Sequence, residues 1–280
     1  MKLVHTIEEV RAFSRGRVRG TRLGLVPTMG ALHEGHLSLV QAARAQSDVV
    51  AVSIFVNPTQ FGPNEDFARY PRNLEGDCAM LEREGVDVVF APSAEEMYPP
   101  GAVTWLTVDG LSERLCGKSR PGHFRGVATV VAKLFNVVEP DNAFFGQKDS
   151  AQVAVIKRMV RDLNIPVKIE VCPIVRESDG LALSSRNAYL SPDERKMALV
   201  PYASLQRAQK VFDSGERDAA KIGAEAKKAF VWQPAVQLDY FEIVDPDELV
   251  PMASINRKSL VAVAAFVGKT RLIDNILLQP

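Results

Sequence analysis

Short apolar segments alternate with helix-patterned segments through the first two thirds of this 280-residue chain. The segment 49–56 is almost continuously apolar, which is typical of a strand buried on both faces of a sheet. Strand–helix–strand repetition of this kind indicates a parallel sheet with right-handed crossover helices. The predicted strands are 22–27, 49–56, 86–90, 143–145 and 167–171, and the predicted helices are 35–47, 74–84, 125–138 and 150–163.

The pattern changes beyond the fifth predicted strand. Ser191, Pro192 and Glu194 combine a helix N-cap, a first-turn proline and a capping-box glutamate, which predicts a helix start. The elements predicted from here are helices at about 192–212 and 216–231, and strands near 236–244, 260–267 and 271–278. The chain is therefore predicted to be an α/β protein. Residues 1–175 form a parallel sheet with helices on both faces, and residues 176–280 form a smaller α+β domain.

The charge is balanced, with 34 Lys and Arg against 34 Asp and Glu, and no segment is polybasic. This balance argues against a domain dedicated to nucleic acid. No apolar run is long enough to span a membrane, and the first 20 residues lack the apolar core of a secretory signal. Cys78, Cys116 and Cys172, without CxxC spacing, are typical of free thiols in a reducing compartment. The sequence thus predicts a cytoplasmic protein with no membrane partner.

Three widespread catalytic motifs are missing from the sequence. No two glycines are separated by a single residue, which excludes the GxGxxG dinucleotide fingerprint. The spacing of a P-loop occurs at Gly30 and Gly35, but His36 stands where the lysine should follow. The GxSxG nucleophile elbow is also absent.

The segment 27–36, PTMGALHEGH, lies between the first predicted strand and the first long predicted helix. Ligands of open parallel sheets bind at the carboxyl ends of strands, and a helix N-terminus attracts anions. His33 and His36 add imidazole donors, and the glycines Gly30 and Gly35 let a ligand approach the backbone. This chemistry favours a polyphosphate. The alternatives are two structural loop histidines, or a zinc site, which lacks both the HExxH spacing and a nearby ligand cluster.

A second polar cluster follows the second predicted strand. Asn57 and Gln60 offer amide donors and acceptors at this strand end, and Tyr70 comes shortly afterwards. The alternative is a simple turn, because Asn-Pro is common turn chemistry. A turn accounts for Asn57 but leaves Gln60 and Tyr70 unexplained.

Two more clusters contribute cationic side chains. Lys148 and Asp149 follow the strand at 143–145, where a surface lysine and a helix N-cap are the simpler alternatives. The segment 183–187, LSSRN, combines two hydroxyls with the guanidinium of Arg186, which makes a suitable mobile clamp for phosphate. The alternative for this segment is a serine-rich linker between domains.

Taken together, six ordered segments resemble the pantoate–β-alanine ligase (pantothenate synthetase) family of HIGH-motif nucleotidyltransferases. The segments are 27–36 (PTMGALHEGH), 54–61 (IFVNPTQF), 70–72 (YPR), 120–135 (RPGHFRGVATVVAKLF), 144–149 (FFGQKD) with Gln152, and 183–187 (LSSRN). The resemblance covers most of residues 20–190 and implies a Rossmann-like catalytic domain. It also implies that ATP and pantoate give pantoyl adenylate and pyrophosphate, after which β-alanine displaces AMP to form pantothenate.

The resemblance implies roles for individual residues. The implied catalytic residues, which act on the phosphates, are His36, His33, Lys148 and Arg186. The implied ATP-binding residues are Met29, Gly30, Ala31, Leu32, His33, Glu34, Gly35, His36, Gly146, Gln147, Lys148, Asp149, Val175, Leu183, Ser184, Ser185 and Arg186. The implied substrate-binding residues are Gln60, Gln152, Asn57 and Tyr70, of which the two glutamines hold pantoate.

The resemblance further implies ATP as co-substrate, Mg²⁺ as cofactor and a homodimer. Many family members have Glu where this chain has Gln147. The effect of lacking a negative charge at this position stays open. Asp77 is a candidate outer-sphere partner of Mg²⁺, and the direct metal ligands are left unassigned.

Two other functions stay open: a nucleotidyltransferase that stops after AMP or CMP transfer, and a nucleotide sensor. A sensor is expected to have lost His36, Lys148 or Arg186, and all three are present.

Overall fold

The structure is a computed structural model that describes residues 1–63 and 65–280. Within these residues the larger sheet has six strands, all paired in parallel. They are β1 (Lys2–Val4), β2 (Leu23–Thr28), β3 (Val49–Ile54), β4 (Val88–Phe90), β5 (Asn142–Gly146) and β6 (Lys168–Cys172). The strand order is β1-β4-β3-β2-β5-β6, so the chain winds outward from β2 on one side and from β5 on the other. The topological switch point therefore lies between β2 and β5.

Helices cover both faces of this sheet. The α-helices of the described residues are α1 (Ile7–Arg15), α2 (Glu34–Gln46), α3 (Leu74–Arg83), α4 (Ala94–Met97), α5 (Cys116–Ser119), α6 (His123–Val138), α7 (Ser150–Asp162), α8 (Pro192–Met197), α9 (Val200–Asp213) and α10 (Ala219–Val231). Side chains of β2 alternate between two apolar layers: Leu23 and Leu25 pack with α1, α6 and α7, and Val26 packs with α2 and α3. The predicted parallel sheet with helices on both faces is confirmed. None of these helices is long and apolar enough to cross a membrane.

The smaller sheet is antiparallel, with three strands in the described part of the chain: β7 (Val236–Val244), β8 (Ser259–Val267) and β9 (Thr270–Leu278). Its apolar face packs with α9 and α10 around a second core. Side chains such as Val244, Leu260 and Ala262 belong instead to the core of the larger sheet. The predicted α+β character is confirmed, and the division into residues 1–175 and 176–280 stays a prediction.

Some elements differ from the sequence-based expectation. The three-residue strand β1 was missed because only Val4 is buried there, which leaves no alternating pattern to read. The single helix expected at 192–212 is two helices, α8 and α9. Pro201 lies at the start of α9 and has no N–H to donate to the preceding turn, which explains the interruption.

Candidate active site

Two of the predicted clusters lie at the topological switch point. The loop 29–33 leaves the end of β2 and leads into α2, and the turn Gln147–Asp149 leaves the end of β5 and leads into α7. Ligands of open α/β sheets bind in the crevice at such a point. The strand order thus brings together residues 29–36, the histidine segment, and residues 147–149, the lysine segment, which are far apart in sequence.

The loop 183–187, called the serine–arginine loop below, reaches the same edge of the sheet. The hydroxyl of Ser185 donates to the carbonyl of Ala31 at 3.2 Å, across 154 positions of the sequence. The ammonium of Lys148 donates to the carbonyl of Leu183, also at 3.2 Å. The serine–arginine loop therefore contacts both of the segments that follow β2 and β5.

The two histidines form a reciprocal cap at the start of α2. Nδ1 of His33 accepts from the backbone N–H of Gly35 at 3.1 Å, and Nδ1 of His36 accepts from the N–H of His33 at 3.3 Å. A ring nitrogen that accepts carries no proton, so each neutral ring keeps its proton on Nε2. Each histidine therefore offers one Nε2–H donor, which suits a phosphate oxygen.

The histidines are held in this neutral form. Burial, followed by the charge of Lys148, lowers the pKa of His33 to about 4. Burial also lowers the pKa of His36 well below its usual value, with smaller contributions from His33 and Lys148. At neutral pH the cationic charge of this region is therefore supplied by Lys148 and not by the imidazoles.

Asp77 of α3 holds the loop before α2. Its buried carboxylate accepts the N–H of Ala31 at 2.9 Å and the N–H of Leu32 at 2.8 Å. Ala31 and Gly30 both have left-handed backbones, with φ of 51° and 80°, which a residue with a Cβ adopts only at some cost. Because both carboxylate oxygens bind the loop, the structure gives Asp77 a positioning role.

Gln60 and Asn57 form a 3₁₀ turn after β3. Nε2 of Gln60 lies 2.9 Å from Sδ of Met29, and its Oε1 accepts from Nδ2 of Asn57 at 3.2 Å. Helix α6 presses on this turn so closely that a Cβ at Gly126 would lie 2.3 Å from the carbonyl oxygen of Thr59. Gln60 thus reaches the histidine segment, while the buried Asn57 supports the turn.

A cavity of about 780 Å³ lies between the edge of the larger sheet and the smaller sheet. The predicted site residues in its lining are Lys148, Asp149, Gln152, Ser184 and Arg186. All the other predicted site residues, among them His33, His36, Gln60 and Tyr70, are outside this lining. Tyr70 is buried, with its ring against that of Phe61 at 5.9 Å, so it supports the neighbouring turn.

Val175 contacts the serine–arginine loop through its backbone. Its carbonyl accepts the N–H of Leu183 at 3.0 Å, which ties the segment after β6 to the start of the serine–arginine loop. The neighbouring Arg176 forms a bidentate pair with Asp274 of β9, at 2.7 and 2.8 Å. These contacts anchor the base of the loop on the smaller sheet.

Asp66 lines the cavity, although no sequence signal pointed to it. Arg186 donates from Nε and from an NH₂ group to the two oxygens of Asp66, both at 3.0 Å. Burial alone would raise the pKa of Asp66, but the hydrogen bonds and charge of Arg186 lower it. The guanidinium predicted to bind phosphate is therefore paired with a carboxylate in this structure.

Arg120 and His123 belong to the segment 120–135, but no role followed from their sequence. Nδ1 of His123 donates to the carbonyl of Gln60 at 2.8 Å, because its Nε2 lies 3.0 Å from a guanidinium N–H of Arg120, which can only donate. Arg120 also pairs with Glu65. Burial, followed by the charge of Arg120, lowers the pKa of His123 to about 3.

This buried neutral histidine predicts a stability loss in mild acid. Below its ordinary pKa of 6.5, His123 takes up a proton in the unfolded chain but not in the folded one. The free energy of unfolding should therefore fall by about 2 kcal/mol from this residue between pH 7 and pH 5. Urea denaturation of wild type and His123→Asn at both pH values measures the difference. Equal pH dependence in the two proteins would contradict the assignment, and exposed His5, as His5→Asn, is the control.

The comparison with known families covers nearly the whole chain. The family model described as Pantoate-beta-alanine ligase matches residues 2–277. The chain belongs to this family. The ATP-dependent condensation of pantoate with β-alanine is the reaction of pantoate–β-alanine ligases, and the prediction of such a ligase is confirmed.

Individual relatives agree with this membership. The pantothenate synthetase of Koribacter versatilis is 58% identical over 280 residues, which cover 100% of this chain and 96% of the relative. That of Thermotoga neapolitana is 59% identical over 279 residues, covering 99% and 100%. The crystal structure of pantothenate synthetase from Thermus thermophilus matches with a TM-score of 0.96 at 47% identity, covering 100% of both chains.

A further solved relative holds ligands. The pantoate-beta-alanine ligase of Francisella tularensis, complexed with beta-gamma ATP and beta-alanine, matches with a TM-score of 0.78 at 35% identity. The match covers 99% of this chain and 97% of that one. ATP use by this ligase family is thus supported by a structure, and the roles of single residues in this chain stay predictions.

Proposed function

We propose that this chain joins pantoate to β-alanine through a pantoyl adenylate formed at the switch point between β2 and β5. The observation that carries the proposal is the direct contact among three distant segments: the histidine segment 29–36, Lys148 and the loop 183–187. They combine neutral N–H donors, an ammonium and a guanidinium, which are the groups that a triphosphate needs. No protein nucleophile is required because the carboxylate of pantoate attacks.

In the first half-reaction, a carboxylate oxygen of pantoate attacks the α-phosphorus of ATP. A new O–P bond gives pantoyl adenylate, the bond to the bridging oxygen breaks, and pyrophosphate leaves with the electron pair. Negative charge grows on the leaving oxygen and is stabilised by groups that are already in place. We assign this stabilisation to the Nε2–H groups of His33 and His36 and to the ammonium of Lys148.

Arg186 completes the phosphate site by changing partner. It is paired with Asp66 in the structure, and a triphosphate carries more negative charge than one carboxylate. We therefore expect ATP to draw the guanidinium from Asp66 onto the phosphates. The hydroxyls of Ser184 and Ser185 close on the nucleotide from the same loop.

Mg²⁺ accompanies ATP in this proposal. The ion is typically bound by one or two carboxylates together with substrate phosphates. Asp149 fits this requirement because it lines the cavity beside Lys148 and its side chain does not cap α7. When bound, the ion would neutralise phosphate charge. Asp77 is less suitable because its oxygens accept two backbone N–H groups.

Gln60 and Gln152 are proposed to orient pantoate. Their neutral amides can hold the hydroxyl and carboxylate groups by hydrogen bonds while leaving the carboxylate charged and nucleophilic. In the second half-reaction, the neutral amine of β-alanine attacks the carbonyl carbon of the adenylate. The C–N bond forms, the bond from the carbonyl carbon to the phosphate oxygen breaks, AMP leaves with the electron pair, and the amine nitrogen gives up one proton.

Alanine variants of these glutamines should separate the two substrates. Gln60→Ala and Gln152→Ala are each expected to raise the KM of pantoate by about 10- to 100-fold, the value of a hydrogen bond to a charged group. The KM of ATP should change by less than about threefold. Steady-state kinetics with each substrate varied measures both constants, and exposed Gln206, as Gln206→Ala, is the control. An equal loss for ATP and pantoate would indicate structural damage and contradict the assignment.

Isotope exchange tests the adenylate directly. Labelled pyrophosphate should enter ATP when enzyme, Mg²⁺ and pantoate are present and β-alanine is left out. Exchange that needs no pantoate would favour a different nucleotidyltransferase. The absence of pantoate-dependent exchange would contradict the adenylate mechanism.

We also propose a homodimer and a cytoplasmic location. Val103 and Trp105 are apolar side chains that are 82% and 44% exposed before α5, and burying them against a second copy would be favourable. Light scattering should give twice the chain mass of 30.7 kDa. All three cysteines are free thiols, which agrees with a reducing compartment.

A further inference from the structure

One side chain of the smaller sheet binds the lysine segment of the larger sheet. Asn275 of β9 is only 2% exposed, and its Nδ2 donates to the carbonyls of Gln147 and Lys148, both at 3.0 Å. Its Oδ1 accepts from Nε2 of Gln147, also at 3.0 Å. Both protons and the acceptor oxygen of one amide are therefore used on two successive residues of the turn after β5.

This arrangement needs an amide. A carboxylate at position 275 would face two carbonyl oxygens without a proton to donate, and an aliphatic side chain would leave both carbonyls unpaired. The amide of Gln147 sets the orientation of Asn275, because its N–H group requires Oδ1 on that side and so directs Nδ2 towards the carbonyls. Gln147 therefore acts in this chain as a neutral hydrogen-bond donor to Asn275.

The neighbouring residue of β9 holds a second part of the site. Asp274 is 5% exposed and pairs in bidentate fashion with Arg176, which directly follows Val175. Two successive residues of one strand therefore hold both the turn that carries Lys148 and the segment that leads to the loop 183–187.

We propose that Asn275 is a positioning residue that holds Lys148 at the triphosphate, with Gln147 fixing the orientation of its amide. This inference rests on the proposed function, which gives Lys148 its role. Without the two carbonyl bonds, the turn after β5 would lose its attachment to β9. Misplacement of a catalytic group by about 1 Å can cost about 100-fold in rate.

The test compares Asn275→Ala, Gln147→Met and the double variant. Asn275→Ala should lower kcat of pantoate-dependent pyrophosphate exchange by about 10- to 100-fold and weaken ATP binding measured by calorimetry. The KM of pantoate should stay within about twofold. Gln147→Met removes only the orienting bond and should cost about 3- to 10-fold. Because both changes act through one amide, Gln147→Met should add little to Asn275→Ala.

The control is Asn142→Ala, which removes a buried asparagine at the opposite end of β5. Asn275→Ala with wild-type exchange and ATP affinity would overturn the inference, as would a loss equal to that of Asn142→Ala. The inference would also be overturned if the rate loss of the double variant equalled the product of the rate losses of Asn275→Ala and Gln147→Met. Should Asn275→Ala fail to fold, Gln147→Met decides by the same readouts. Wild-type protein without exchange would contradict the proposed function, while calorimetry with ATP would still test the role of Asn275.

Discussion

Replacing His36 with asparagine is expected to lower the rate of pantoate-dependent pyrophosphate exchange by about 10²- to 10³-fold. Asparagine can keep the acceptor that His36 Nδ1 offers to the N–H of His33, so the cap of α2 is retained. It cannot reach the position of Nε2, so the N–H group that we propose as donor to the leaving pyrophosphate is lost. The free energy of unfolding should change by no more than about 1 kcal/mol, the usual value of a helix cap.

Two further variants show whether the Nε2–H group is responsible. His36→Gln extends an amide towards the position of Nε2 and should recover part of the rate. Exposed His5, replaced as His5→Asn, should leave exchange unchanged. Near-normal exchange in His36→Asn would move catalysis to other groups, and a rate loss that follows a loss of folded protein in circular dichroism would indicate damage to α2.

Replacing Lys148 with methionine is expected to have an effect of similar size. The ammonium of Lys148 is the cation that directly follows β5, and the imidazoles beside it are neutral at pH 7 because burial lowers the pKa of His33 and His36. Removal of this charge should lower kcat of exchange by about 10²- to 10³-fold. ATP binding should weaken as well, whereas the KM of pantoate should hardly change.

Matched variants separate the charge of Lys148 from its packing. Lys148→Arg keeps the charge but replaces a compact ammonium with a planar fork, so it should recover only part of the rate. Exposed Lys157 of α7, replaced as Lys157→Met, removes a nearby lysine and should leave exchange unaltered. If Lys148→Met retained the wild-type rate, phosphate stabilisation would have to come from Arg186 or from the metal ion.

Most of the larger sheet could be predicted because its signals are local. The apolar run at 49–56 indicated a doubly buried strand, and the structure has β3 at Val49–Ile54 with helices on both faces. The helix start at Ser191 was likewise readable, since its capping box is formed by residues three apart. Strand β1 was not predicted, because it depends on pairing with β4, which is remote in sequence.

The clustering of the candidate site residues was predictable to the extent that they follow strand ends. His33, Gln60 and Lys148 lie in the segments that follow β2, β3 and β5, so a parallel sheet places these segments at one edge. The residues that hold them were not predictable. Asp77 supports the loop across 46 positions, and Asn275 holds the turn at Lys148 across 127 positions.

The sequence by itself determined the α/β class, the family and the edge of the sheet where we propose that the chemistry takes place, because periodicity and strand-end motifs are properties of neighbouring residues. Only the tertiary structure decided the protonation of the histidines, the pairing of Arg186 with Asp66, and the hydrogen bond from Asn275 of β9 to the carbonyl of Lys148. Burial and hydrogen bonding between distant segments set these features. They depend on how the two sheets pack together, and no local sequence pattern predicts that packing.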